Sequence, residues 1–258
     1  MNILAFDTCF AACSAAAGRA PATADSGWGG LSMLFEPMDK GHAERLPSMI
    51  AEVMQKSGLA FSELDRIAVT NGPGSFTGSR MAVAAARALG LGARRDIVAV
   101  SSLAVMAARA ARLLGSNGLE GTTQAGNSLQ DGGHLSIAVD ARRGEVYVQQ
   151  FLIGELRSTG PLVEELSEPL LMTVEEAAKL GGDEPMVLAG SAAASVAQAA
   201  ERAGRRATAS LPELLPHAQD LAVLGARMEP LREAVRPLYM RPADAKPQVG
   251  KSIERASS

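Results

Sequence analysis

Aromatic residues make up only 3% of this 258-residue chain, and 25 lysines and arginines stand against 28 aspartates and glutamates, for a net charge of −3. A protein that grips nucleic acid by itself needs a basic field to displace counterions and rings on which bases stack. This chain has neither, so it is not expected to hold RNA unaided. Its two cysteines, Cys9 and Cys13, are too few and too close together for a disulfide framework or a four-ligand zinc site, and they read as small core residues. The three histidines, His42, His134 and His217, form no H-x-x-x-H or H-E-x-x-H pair, so no helix-borne metal site is encoded. No apolar run approaches the roughly 20 residues of a membrane helix. The opening Met-Asn-Ile-Leu-Ala-Phe reaches Asp7 without a basic segment, unlike a secretory signal. The expected setting is the reducing cytoplasm, with no membrane contact.

A hydrophobic share of 47% against 21% charged residues suits a folded protein with one large or two small cores. Apolar runs over 3–8 and 9–17 predict a hairpin, and 31–35 a third antiparallel strand, with a Gly/Ala/Pro-containing insertion at 18–30. Leu46, Met49, Ile50, Val53 and Met54 recur at the spacing of one helical face. Pro47 is tolerated in a first turn, so this helix is expected to start close to it and to end at Ser57-Gly58. A strand over 66–70 and an Ala-rich helix over 79–92 follow, then a strand at 97–100 and a helix at 103–114. The second half restarts with strands at 134–140 and 145–153 around an Arg142-Arg143-Gly144 turn. It continues with a helix at 173–180 whose Thr173 and Glu176 have capping-box spacing, a strand at 186–189, and helices at 192–203 and near 221–228. Each half is a β meander followed by alternating helices and strands, so the expectation is an α/β protein of two similar lobes. The lobes are assigned to 1–112 and 134–241. The six-glycine stretch inside 113–133 reads as a flexible insertion and the polar 242–258 as a frayed tail.

The strongest local signal is Gly72-Pro-Gly-Ser-Phe-Thr-Gly78, between a strand and a helix. Gly72, Gly74 and Gly78 allow close backbone approach to an anion or to another piece of chain, and Ser75 lies at the entry to the helix. The loop lacks the lysine of a Walker A motif, the G-x-G-x-x-G spacing of a dinucleotide fold and the G-x-S-x-G of a nucleophile elbow. A tight structural turn and a phosphate or partner contact both fit it. Asp7 and Thr8 end the first strand as a carboxylate and a hydroxyl suited to Mg²⁺ and phosphate, or to capping a turn. Asp140 ends the corresponding strand of the second half.

The segments Ile3-Leu-Ala-Phe-Asp-Thr8, Gly41-His-Ala-Glu-Arg-Leu-Pro47, Ile67 to Arg80 with its G-P-G-S-F-T-G-x-R, Val100-Ser-Ser-Leu103, Asp140 to Tyr147 and Pro237-Leu-Tyr-Met-Arg241 together resemble the bacterial TsaB (YeaZ) family of the M22 glycoprotease-like superfamily. The likeness is close over about 1–110 and looser beyond. It implies an actin-like, Hsp70-like (ASKHA) fold of two lobes, each a mixed sheet flanked by helices, that has lost activity. It further implies a scaffold that binds and activates the transferase TsaD, with the ATPase TsaE, in making N6-threonylcarbamoyladenosine at position 37 of tRNAs reading codons that begin with A. On this reading tRNA is reached only through the complex, and the chain homodimerises when TsaD is absent. It has no cofactor of its own, and ATP or ADP belongs to the interface with TsaD. TsaD carries H-x-x-x-H on the helix after its corresponding strand, and the matching positions here are Ser102 and Met106, which cannot replace imidazole. Partner-binding candidates are His42, Glu44, Arg45, Leu46 and Met49 on the first helix and Arg80, Val83 and Arg87 on the second, with His42, Glu44, Arg45, Arg80, Val83 and Arg87 expected to face solvent. Asp7, Thr8, Gly72, Gly74, Ser75, Gly78 and Asp140 are candidates for a degenerate nucleotide site. Two enzymatic readings stand beside the scaffold: a phosphotransferase holding Mg²⁺-ATP on Asp7, Thr8 and Asp140, and a metal-dependent peptidase.

Overall fold

Strand β1 (Asn2–Asp7) is the hub of the first sheet, because both of its edges and both of its faces are occupied. It pairs antiparallel with β2 (Ala12–Arg19), which pairs antiparallel with β3 (Gly29–Pro37). On its other side β1 runs parallel to β4 (Arg66–Gly72), and β4 runs parallel to β5 (Asp96–Ser101), giving the order β3-β2-β1-β4-β5. The computed structural model describes all residues except 22–27, 116–132, 158–159, 183, 231–232 and 242–258. The expected insertion at 113–133 lies almost wholly outside the described residues, as do the middle of 18–30 and the expected tail.

The second sheet repeats the first. β6 (Gly133–Asp140) pairs antiparallel with β7 (Glu145–Arg157), β7 pairs antiparallel with β8 (Gly160–Glu165) and, further along, with β9 (Leu170–Thr173). β6 is parallel to β10 (Met186–Ala189), and β10 to β11 (Ala207–Ser210). Read from β8, the order β8-β7-β6-β10-β11 is that of the first sheet, as expected for an actin-like fold of two similar lobes.

Alternation along the strands separates three helical layers. Leu4 and Phe6 point to α1 (His42–Ser57) and α2 (Phe76–Ala93) on the outer face of the first sheet, with Ile67 and Val69. Ile3 and Ala5 point the other way, to α3 (Ser102–Gly115) and α6 (Ala218–Arg227), which lie between the sheets with Leu135, Ile137 and Phe151 from the second. On the far face of the second sheet, α4 (Val174–Ala177) and α5 (Ala193–Arg202) pack on Ala138, Val148 and Leu188.

The buried residues of α1 are the five read from its periodicity, but the helix starts at His42, well before Pro47. Gly41, at φ 88°, turns the chain into it, and its carbonyl accepts the Arg45 N–H at 3.0 Å. His42 Nε2 lies 3.0 Å from the Phe10 carbonyl and pins this first turn to the β1–β2 connection. Pro47 therefore falls in the second turn, where the helix forgoes one backbone bond. The capping box predicted for α4 is present: Thr173 Oγ1 accepts from Glu176 N at 3.2 Å, and Glu176 accepts from Thr173 N at 2.9 Å.

Helix α6 comes from the second half of the chain yet packs on β1, β2 and β4 of the first sheet. Gly225 permits this approach, since a Cβ there would stand 2.5 Å from that of Ala68. The start of α6 is capped by β2 and by its own flank: Ser14 Oγ accepts from Ala218 N at 3.1 Å, and His217 Nδ1 from Gln219 N at 3.0 Å. Its end is held by Arg66 on β4, whose guanidinium donates to the Gly225 carbonyl at 2.9 Å and to that of Met228. Beside it Arg112 grips Asp220 through two 2.9 Å bonds, and the His217 ring stacks on Phe35 with centroids 5.1 Å apart. Burial, with help from Arg109 and Arg112 and against the pull of Asp220, lowers the His217 pKa to about 4.

Gly225→Val is expected to cost about 1–3 kcal/mol in urea unfolding by forcing α6 off β4. His217 remains neutral in the fold while the unfolded chain takes up its proton near the ordinary value of 6.5, so its contribution is complete above that pH and declines as pH falls towards about 4. His217→Asn, which can still cap the helix, is expected to flatten the fall in melting temperature across that window.

Candidate functional site: the glycine loop, the first hairpin turn and the outer helices

The segment Gly72–Gly78 leaves the carboxyl end of β4 and enters α2 by way of the turn between β1 and β2. Ser75 N donates to the Cys9 carbonyl at 2.7 Å, and Thr8 Oγ1 donates to the Gly78 carbonyl at 2.8 Å. Two of the three glycines are required by this contact. A Cβ on Gly74 would stand 2.4 Å from the Cys9 oxygen, and one on Gly78 would stand 2.0 Å from the Thr8 oxygen. Gly72, at φ 115°, lies against the Leu238 carbonyl. Ser75 caps α2 by accepting the Gly78 N–H at 3.0 Å, so the helix begins at Phe76, inside the motif and three residues before the predicted Ser79.

Asp7 is fully buried below this turn. Its Oδ1 accepts from Thr70 Oγ1 at 2.5 Å and from Cys9 N at 3.1 Å, while Oδ2 has no partner among the described residues. Burial raises its pKa by more than those bonds lower it, which biases the carboxyl towards its neutral form. Cys9 and Cys13 are free and buried, as read from the sequence. Burial, reinforced by the nearby Asp7, pushes the Cys13 thiol up to about 12 and Cys9 in the same direction. Neither is an activated thiolate.

The structure thus brings Asp7, Thr8, Gly72, Gly74, Ser75 and Gly78 into one cluster and leaves Asp140 outside it. Asp140 is exposed on the second lobe, where its N–H donates to Ser191 Oγ at 3.0 Å and its Oδ1 accepts from Arg142 N at 2.8 Å. The residues do not fit Mg²⁺-ATP. The carboxyl that would hold the ion is sealed beneath the turn and engaged by Thr70 and Cys9, and the loop N–H groups of Ser75 and Gly78 already serve this chain. Nor do Ser102 and Met106 fit a metal. Ser102 Oγ donates to the Pro73 carbonyl, and Met106 is enclosed in the apolar layer between the sheets. Among the described residues no group of three or more His, Cys, Asp or Glu side chains is placed to share a cation.

The partner-binding candidates divide. Glu44, Arg80 and Arg87 are exposed. Arg80 lies over the ring of Phe76, 4.9 Å from its centroid, and that ring is 59% exposed at the first turn of α2. Val83, expected to face solvent, is instead buried at 3% exposure, and Leu46 and Met49 are likewise closed off. All three fill the layer between these helices and the first sheet, so none is available to a partner. Arg45 is half-buried between Glu36 and Glu52, at 2.5 and 2.7 Å, and His42 is half-buried on Phe10.

A family model described as "TsaD: tRNA N6-adenosine threonylcarbamoyltransferase" matches residues 36–256, most of the chain. The chain belongs to this family. Among curated relatives, the tRNA threonylcarbamoyladenosine biosynthesis protein TsaB of Escherichia coli (strain K12) is 32% identical over 153 residues, 58% of this chain and 55% of that protein. TsaB of Haemophilus influenzae is 31% identical over 158 residues, 61% of this chain and 57% of that one. The chain therefore matches little more than half the length of either. A solved structure, YeaZ from Pseudomonas aeruginosa, is 29% identical with a TM-score of 0.71 and covers 92% of this chain and 99% of its own. The TsaB (YeaZ) likeness and the two-lobe fold expected from the motifs are both borne out by these matches.

Sequence reasoning missed Thr70 and Gln149. Gln149, fully buried, accepts from Ser101 Oγ at 3.1 Å and donates to Glu165 at 2.9 Å, bridging the first sheet to the second. Its place in a strand of otherwise apolar inward residues was the available signal. Gly78→Ala is expected to lower stability by at least about 2 kcal/mol, because a backbone carbonyl cannot step aside. Gly92→Ala, where a Cβ meets nothing within 4 Å, is expected to be neutral or to gain up to about 1 kcal/mol. Parallel urea titrations of the two variants read the contrast.

Proposed function

We propose that this chain is the non-catalytic partner of a TsaD-type transferase, acting with TsaE in the cytoplasm to support N6-threonylcarbamoylation of adenosine 37 in tRNAs that read codons beginning with A. The observation that carries this reading is the fate of the positions where TsaD has its paired histidines. Ser102 is spent on the Pro73 carbonyl and Met106 on the apolar core, so the helix that would carry a metal serves packing instead. The closed glycine loop supports the same division of labour, with ATP or ADP bound at the interface with TsaD and none held by this chain's own glycine loop. A near-neutral, aromatic-poor composition supports a subunit that meets tRNA only through its partner.

The surface offered to TsaD is the outer side of α1 and α2. Glu44, Arg80 and Arg87 project there, Phe76 supplies an exposed ring, and Ala84 and Ala88 leave room for a helix to approach closely. An interface of the usual kind buries about 1,600 Å² in total, and the same surface serves a homodimer when TsaD is absent, so the two assemblies exclude one another. Arg80→Glu with Arg87→Glu is expected to weaken association with the TsaD homologue by about tenfold or more, equivalent to about 1.4 kcal/mol, and to lower threonylcarbamoylation in an assay from which each subunit is omitted in turn. Undiminished co-purification of the double variant would remove α2 from the interface. ATP hydrolysis by the isolated chain, abolished by Asp7→Ala, would overturn the non-catalytic reading.

A further inference from the structure

The motif Pro237-Leu-Tyr-Met-Arg241 has no part in the proposed partner surface, yet it touches both lobes. Just before it, Val235 is buried among the residues of α1, α2 and the outer face of the first sheet. Leu238 N then donates to the Asn71 carbonyl at 2.7 Å, extending the chain alongside the end of β4, and the Leu238 carbonyl lies over Gly72. The half-exposed ring of Tyr239 packs against Phe76, with centroids 5.5 Å apart. Arg241 reaches the other lobe, where its guanidinium donates to Glu145 Oε2 at 2.5 Å and to the Arg142 carbonyl at 3.2 Å. Arg142, Arg143 and Gly144 all have positive φ, so the turn receiving Arg241 is tightly wound and presents its carbonyl at a defined place.

Only two residues, Tyr239 and Met240, separate Leu238 on the first lobe from Arg241 on the second, so the two Cα atoms stand at most about 11 Å apart and the Arg241 side chain covers the remaining distance. We infer that residues 237–241 form a clasp between the two lobes, holding the glycine loop of one at a set distance from the β6–β7 turn of the other. The two ends differ in strength. The first-lobe end is anchored by a backbone bond and a buried valine. The second-lobe end is an ion pair whose side chains are 27% and 35% exposed, open to competition from water and salt. The clasp is therefore built to open at Arg241, and opening it removes one of the restraints on Tyr239, and through that ring on Phe76.

Amide hydrogen exchange on the full chain tests this without reference to any partner or activity. Arg241→Ala is expected to speed exchange several-fold at two places distant in sequence: the Leu238 amide with its neighbours in 71–78, and the Glu145 amide, which donates to the Arg142 carbonyl. Raising the salt concentration is expected to do the same to the unaltered protein. The exchanged pair, Arg241→Glu with Glu145→Arg, is expected to restore the slow rates. Acceleration confined to one lobe, unchanged rates in Arg241→Ala, or failure of the exchanged pair to restore them would each overturn the clasp.

Discussion

Everything at the front of the first lobe depends on a backbone pressed against a backbone. Gly74 and Gly78 rest on the carbonyls of Cys9 and Thr8 at distances no side chain could share. That contact positions Ser75 to cap α2, sends the helix along the outer face of the sheet and roofs Asp7 over. The cost of sealing a carboxyl, which shows as a raised pKa, is reduced by the hydrogen bonds that Thr70 and Cys9 donate to it. The space above the Asp7 carboxyl is filled by the protein's own turn.

The second lobe reaches the same solution with different residues. Gly190 follows β10 at φ 109°, as Gly72 ends β4 at φ 115°, and a Cβ on Gly190 would stand 2.5 Å from the Ala138 oxygen. Ser191 then receives the Asp140 N–H where the helical arm of that lobe begins. The repetition extends from strand order down to single glycines. It also shows where the lobes diverge, since Asp7 is entombed and Asp140 stands in solvent.

Much of this was legible in the residues. The face of α1, the strands that bracket each turn and the capping box of α4 follow from periodicity and local chemistry, which act over a few residues. β11, Ala207–Ser210, was not legible, because Ala-Thr-Ala-Ser has no apolar contrast and becomes a strand only through pairing with β10. β8 was hidden by Pro161, which an edge strand tolerates. The site was legible as a motif but not as a geometry. Nothing local in G-P-G-S-F-T-G distinguishes a loop that cradles an anion from one pressed onto the chain's own carbonyls. That distinction lies in residues 8 and 9, more than sixty positions away. Val83 was misplaced for a related reason: on a helix rich in alanine the hydrophobic stripe is faint, and the sheet beneath decides which side is buried.

Helix α6 carries a consequence for the order in which this molecule is made. β1 to β5 are all synthesised by residue 101, but the inner face of their sheet is covered in part by Leu221 and Ala222, and the caps on that helix come from Ser14 and Arg66. A chain emerging from the ribosome therefore carries an incompletely covered apolar sheet until α6 has been threaded back to it. The first lobe to be made is among the last to be finished, and the aggregation-prone interval lasts from the completion of β5 at Ser101 to that of α6 at Arg227, about half of the chain's synthesis.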